Sequence, residues 1–199
     1  IAALCETLRV DVEQVRLGIG SDTRIGYDFI YPGCGYGGSC FPKDVRALQT
    51  MARESGFEPL LLSAIDLRNE RQKAHLPEKI IARFGTDLTG RTFALWGLAF
   101  KPGTDDVREA PSLVIIRALI EAGALVQAYD PVAIDATRRL MDPAWVSSNK
   151  ITFSEHQYEV LSNADALVLV TEWKSFRNPD FAEIMIQLKS PIIFDGRNQ

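Results

Sequence analysis

Cysteine is scarce in this chain. Cys5, Cys34 and Cys40 are the only three in 199 residues, too few for a disulfide framework. They read as free thiols in a reducing, cytoplasmic setting. Cys34 and Cys40 lack a second pair at zinc-ligand spacing, so no metal site is expected. No apolar run approaches the length of a membrane span, and no signal peptide is visible. Excess positive charge is missing as well. With 22 Lys and Arg against 26 Asp and Glu, the net charge is −4, which argues against a nucleic-acid partner. It leaves room for an anionic small molecule gripped by a few local cations. There is no internal repeat and no low-complexity tract. The chain starts at Ile1 without a methionine, as a piece of a longer protein would.

What is present is an ordinary globular balance, 46% hydrophobic and 24% charged. Residues 1–18 place Leu4, Leu8, Val12 and Val15 at helical spacing, and Gly18 and Gly20 are expected to end that helix. Residues 21–39 read as loop. A helix is expected over 40–55, with a stripe of Phe41, Val45, Leu48 and Met51 and a stop at Gly56. A longer one is expected over 59–84, where Pro77 would kink or split it. Long helices of this kind pack against a twin or within their own chain, and the pattern leaves both open. The turn-rich "GTDLTG" at 85–90 is the expected boundary. Beyond it, "TFALWGLAF", "ALVQAYDP", residues 151–153, "ALVLVT" and "PIIFD" read as strands. They alternate with helices near 111–121, 134–140, 155–163 and 179–188. Such alternation means a parallel sheet with crossover helices. The expected fold is therefore α/β: a helical region over 1–90 followed by a Rossmann-like parallel-sheet domain over 91–199.

Ligands of open α/β sheets gather beyond the carboxyl ends of the strands. Three stretches there, "FKPGTDDVREAPS", "TEWKSFRNP" and "DGRN", carry Lys101, Arg108, Lys174 and Arg197, charges suited to a diphosphate. The first is long for a strand-to-helix link. No G-x-G-x-x-G follows the first strand, so ordinary dinucleotide binding is not expected on this sheet. For the same reason Asp130, at the end of the second strand, is not assigned a ribose.

The densest signal is "GCGYGGSCFPKD", residues 33–44. Its glycines let backbone approach a ligand closely. Cys40 falls at the start of a helix, where the positive end of the dipole favours a thiolate. Lys43 adds positive charge. Asp44, four residues on, opposes thiolate formation, so its use must differ: orienting a water or pairing with a lysine. A buried structural cysteine followed by a dipole-complementing aspartate is the alternative, and the residues alone leave it open.

Three stretches, "GYGGSCFPKD", "GLAFKPGTDDVREAPS" and "DGRN", resemble in order and spacing the UDP-glucose 6-dehydrogenase family of nucleotide-sugar dehydrogenases. The resemblance runs along nearly the whole chain. It implies oxidation of UDP-glucose to UDP-glucuronate with two NAD⁺. Cys40 would be the nucleophile, forming a thiohemiacetal and then a thioester, and Asp44 would position or activate water. It implies that Phe29, Ile30, Tyr31, Pro32, Gly33 and Gly37 wrap the UDP-sugar. Phe100, Lys101 and Arg197 would touch substrate, and Arg24 would reach a partner's substrate across a homodimer. Lys43 and Arg108 would reach the NAD. Members of the family begin with an NAD-binding domain carrying G-x-G-x-x-G, and a central helix there supplies a lysine and an asparagine. Neither has a counterpart in these 199 residues, so the chain by itself is expected not to turn over. A sister dehydrogenase acting on GDP-mannose or a UDP-N-acetyl sugar, and a UDP-sugar-binding, dimerising module without chemistry, are the rival readings.

Overall fold

A computed structural model describes residues 1–198 as two compact units, Ile1–Gly33 and Cys34–Arg197. The first unit holds helices α1 (Ala2–Leu8) and α2 (Val12–Gly20). The single helix expected here is split. Arg9 adopts the left-handed conformation (φ 57°) and closes α1, and the Asp11 carboxylate accepts the Glu13 amide to start α2. Gly18 lies inside α2, and the helix ends at Gly20. Residues 21–33 form turns and irregular chain.

The second unit opens with α3 (Phe41–Glu54) and α4 (Leu60–Phe84). Pro77 sits within α4 and does not split it. Leu76 and Ile80 of α4 are buried in the core of the sheet that follows. That sheet comprises β1 (Thr92–Trp96), β2 (Leu125–Tyr129), β3 (Ile151–Phe153), β4 (Ala166–Leu169) and β5 (Ile193–Asp195). All pairings are parallel, in the order β3-β2-β1-β4-β5. This is the doubly wound arrangement whose order reverses between β1 and β4.

The central strand β1 is buried at every position, as a strand covered on both faces must be. Phe93 and Leu95 face one core with Ile115, Ile116 and Leu119 of α5 (Pro111–Glu121). Ala94 and Trp96 face the other, with Leu161, Leu167 and Phe176. Helices α6 (Ile134–Leu140), α7 (Pro143–Ser147) and α8 (Phe181–Gln187) complete the fold, and α7 was not expected. The helix expected over 155–163 is reduced to one 3₁₀ turn, Glu159–Leu161. Upstream of it the Gln157 carbonyl accepts the Trp96 indole N–H at 2.7 Å, so tertiary packing claims a group a longer helix would need. No helix among the described residues is long and apolar enough to cross a membrane.

Candidate functional site

The glycine-rich loop crosses the carboxyl edge of the sheet and makes a separate contact at almost every step. At its start Cys34 is buried, and its thiol donates to the Gly196 carbonyl at 3.3 Å in the turn after β5. Burial pushes that thiol up to about 12, with Arg197 pulling the other way. One residue on, Gly35 lies so near α4 that a Cβ would stand 2.9 Å from Asn69 Oδ1. The Asn69 amide then clamps Tyr36 from both sides, accepting its N–H at 2.8 Å and donating to its carbonyl at 3.1 Å. Farther along, a Cβ on Gly37 would meet the Glu109 carbonyl oxygen at 2.5 Å. The Gly38 N–H donates to the Arg108 carbonyl at 2.8 Å, and the Phe100 ring covers Gly38. These glycines thus admit close approach to the protein's own chain.

The loop ends at Cys40, the N-cap of α3. Cys40 is exposed, whereas Cys5 and Cys34 are buried. Its sulfur lies 3.6 Å from Ser39 Oγ, and its carbonyl accepts the Asp44 N–H at 2.8 Å. Its side chain makes no capping bond. The positive end of a fourteen-residue helix is thus left beside a solvent-facing thiol. Asp44 pairs with its neighbour Lys43 at 3.3 Å, both largely exposed, a contact weak enough to exchange for another partner.

The long β1–α5 connection supplies the other charges. Arg108 forms a two-pronged pair with Asp106, at 2.9 and 2.8 Å. That bond raises the guanidinium and lowers the carboxyl from their ordinary values. Arg108 also lies within electrostatic reach of Cys40. The Lys101 ammonium sits 5.2 Å over the Phe100 ring. Arg197 pairs with Glu172 at 2.8 Å, mostly buried.

Asp130 holds the sheet edge together. Its buried carboxylate accepts the amides of Leu98, Ala99, Val132 and Ala133 and the Trp173 indole, at 2.7 to 3.1 Å. With five donors its carboxylate is committed to holding the turns after β1 and β2 together. At the turn after β1, a Cβ on Gly97 (φ 98°) would lie 2.5 Å from Thr171. Gly97 therefore lets the backbone after β1 pack directly against Thr171.

In the first unit, Arg24 is 87% exposed and paired only to Asp22, at 2.6 to 3.2 Å. Phe29 is fully exposed with φ 64°, a costly conformation for an aromatic residue. Tyr31 is stacked by Arg16, 4.5 Å from the ring. Ile30, Pro32 and Gly33 complete this segment.

The structure therefore gathers Gly37, Cys40, Lys43, Asp44, Phe100, Lys101, Arg108 and Arg197 in the Cys34–Arg197 unit, and carries Arg24 and residues 29–33 on the other. Sequence reasoning missed Asn69, Lys73 and Glu109. The available signal was two polar residues, Asn69 and Lys73, one turn apart on the face of α4 that Leu76 and Ile80 continue into the core.

The UDP binding domain of the UDP-glucose/GDP-mannose dehydrogenase family matches residues 94–199, and the central domain of the same family matches residues 1–71. The chain is 53% identical over 198 residues to the UDP-glucose 6-dehydrogenase of Pseudomonas aeruginosa, covering 100% of this chain and 44% of that protein. A UDP-glucose dehydrogenase from the archaeon Pyrobaculum islandicum superposes with a TM-score of 0.81 at 33% identity, covering 96% of this chain and 41% of the other. A UDP-D-ManNAc dehydrogenase from Pyrococcus horikoshii gives 0.77 at 26%, over 99% of this chain and 43% of the other. The chain thus spans less than half the length of these relatives.

Proposed function

Because the chain belongs to the UDP-glucose/GDP-mannose dehydrogenase family, we propose that it carries the nucleophile and UDP-sugar site of an NAD-dependent UDP-glucose 6-dehydrogenase. A helical central region spans residues 1–90 and a UDP-sugar domain 91–199. The observation that carries this is Cys40: the one exposed thiol, at the start of a helix, beside exposed cations.

The residues present fit part of an NAD site. Lys43 and Arg108 are exposed cations near the thiol, suited to phosphate oxygens, while the turn after β1 lacks the G-x-G-x-x-G pattern. Bound NAD⁺ supplies the hydride acceptor for both oxidations. Cys40 Sγ adds to the aldehyde carbon, and the thiohemiacetal so formed becomes a thioester once a hydride and a proton have left. Asp44 takes a proton from the water that attacks the thioester carbon. The carbon–sulfur bond breaks, the carboxylate leaves, and Cys40 is free again. Lys101, Arg197 and the Phe100 ring hold the nucleotide and sugar. Gly37 lets the loop approach them, residues 29–33 are assigned to UDP-sugar binding in their own unit, and Arg24 serves the partner of a homodimer. Three free thiols fit a cytoplasmic enzyme.

Replacing Cys40 by Ala in the full-length enzyme is expected to cut kcat by on the order of 10³-fold or more. Iodoacetamide should label Cys40 well ahead of Cys34 and Cys5, and UDP-glucose should protect it. Labelling of all three at one rate, unaffected by UDP-glucose, would instead favour a binding module without chemistry. The shared fold of the UDP-D-ManNAc dehydrogenase keeps sister sugars in play. Hydride transfer measured with UDP-glucose, GDP-mannose and a UDP-N-acetyl sugar decides among them, and the 53% identity to a UDP-glucose enzyme favours the first.

A further inference from the structure

Lys73 of α4 is 2% exposed. Removing an ammonium from water costs several kcal/mol unless its partners compensate, and an apolar residue would fill the same space without that cost. Its partners are Glu70, at 3.1 Å, and Glu109, at 3.3 Å. Glu109 in turn accepts Arg46 Nη1 at 2.8 Å. Arg46 lies on α3, two residues beyond Asp44 and six beyond Cys40. One carboxylate from the β1–α5 connection therefore joins the helix that begins at the thiol to a buried cation on α4.

The backbone around Glu109 does a second thing. Glu109 itself is left-handed (φ 55°), which turns its carbonyl against Gly37 while the Arg108 carbonyl takes the Gly38 N–H. On α4, one turn before Lys73, Asn69 grips Tyr36 by both backbone groups. The loop leading to Cys40 is thus held from two sides. Resting on the reading of Cys40 as nucleophile, we infer that Glu109 is a positioning residue for that thiol, its carboxylate tying α3 to Lys73 while its backbone seats the glycine loop. Its role runs through α3 and the loop backbone, both of which it contacts. Glu109 sets where Cys40 stands relative to Arg108, its neighbour on the same connection and within electrostatic reach of the thiol.

The test uses the full-length enzyme with Glu109→Gln, Lys73→Met, the pair combined, and Asn69→Ala. A misplacement of about an ångström costs about 10²-fold in rate. The expected result for Glu109→Gln is therefore a kcat lower by about that factor, with KM for UDP-glucose within roughly threefold of wild type. The combined variant should be no slower than the worse single one, because both remove the same link. A merely structural pair would lower the melting temperature and leave kcat of the folded fraction intact. The inference is overturned if Glu109→Gln keeps kcat within about twofold, or if KM rises in step with the loss. Should Lys73→Met fail to fold, Asn69→Ala, which leaves the charges in place, carries the same kcat-against-KM reading. Cys40→Ala run alongside separates the two claims. If it stays active, the nucleophile reading itself is wrong. If it is dead while Glu109→Gln is unimpaired, only the positioning role falls.

Discussion

At the residue scale, Gly37 shows how a glycine-rich motif can serve the scaffold. The motif reads as backbone freed to meet a phosphate, and its closest neighbour is the Glu109 carbonyl, where a Cβ would stand at 2.5 Å from the oxygen and 2.9 Å from the carbon. Both atoms are backbone, so neither can swing aside as a side-chain tip would. Gly37→Ala is therefore expected to destabilise the protein by about 1–3 kcal/mol, seen as a lower urea midpoint. Activity of the full-length enzyme should fall further than stability does, since the strain is applied four residues before the final turn into α3. An unchanged midpoint would mean the loop yields freely and does not hold Cys40 by contact. Cys34 belongs to the same account. Its thiol, at about 12 through burial, is a small packed group locking the loop to Gly196, where even a Cβ would find the sulfur in its way.

At the element scale, the sheet is pinned where β1 begins. Asp165, ahead of β4, accepts the Thr92 N–H, Lys189 Nζ and Arg91 Nη1, each at 2.9 Å. Burial works to raise its pKa. The amide and the two cations outweigh that and hold it below the ordinary 3.8. A carboxyl depressed in the folded state stabilises the fold above its unfolded pKa, and that stability is lost as pH falls through the folded value. Asp165→Asn should cost about 1–3 kcal/mol at neutral pH. The gap to wild type should narrow as both are titrated below 3.8, read by urea unfolding at each pH. A gap that stays constant into acid would show that the ionised carboxylate contributes nothing. Much of this layer was legible beforehand. Short apolar runs such as "TFALW" and "ALVL" alternating with helical patterns read as central parallel strands, and Pro111 with Gly123 brackets α5. The misses have local physical causes. Periodicity in residues 1–18 cannot report that Arg9 turns left-handed, nor can the helical pattern near 157 report that Trp96 takes the Gln157 carbonyl. The place of Cys40 at the start of α3 was legible because it sits in a local motif. Asn69, Lys73 and Glu109 act across 33 to 36 positions of chain, a distance no window of sequence spans.

At the scale of the whole molecule, two consequences concern what the 199 residues do together. Helical spacing identified Phe41, Val45, Leu48 and Met51 on α3 as a stripe; Val45 is buried, while Phe41, Leu48 and Met51 stand 55%, 52% and 62% exposed, with Leu60 and Leu61 of α4 at 68% and 74%. That much apolar surface on adjoining helices is the raw material of a homodimer, which needs an interface of about 1,600 Å² in total. Leu60→Asp with Leu61→Asp is expected to shift the sedimentation of the protein toward monomer, and a dimer untouched by both changes would place the interface elsewhere. The second consequence follows from the sheet edge. Lys101, Arg108 and Arg197 surround the carboxyl end of the strands, so a diphosphate has cations to meet. Yet the turn after β1 lacks a glycine fingerprint and Asp130 is spent on five protein donors, so a dinucleotide is not expected to bind on this sheet. The 199-residue chain alone should therefore bind UDP by calorimetry, more weakly as salt is raised, and should produce no NADH from UDP-glucose and NAD⁺. Steady formation of NADH by the purified chain would overturn the division of labour proposed here. It would mean that the exposed cations Lys43 and Arg108 suffice to hold the hydride acceptor against Cys40 without a glycine-lined turn.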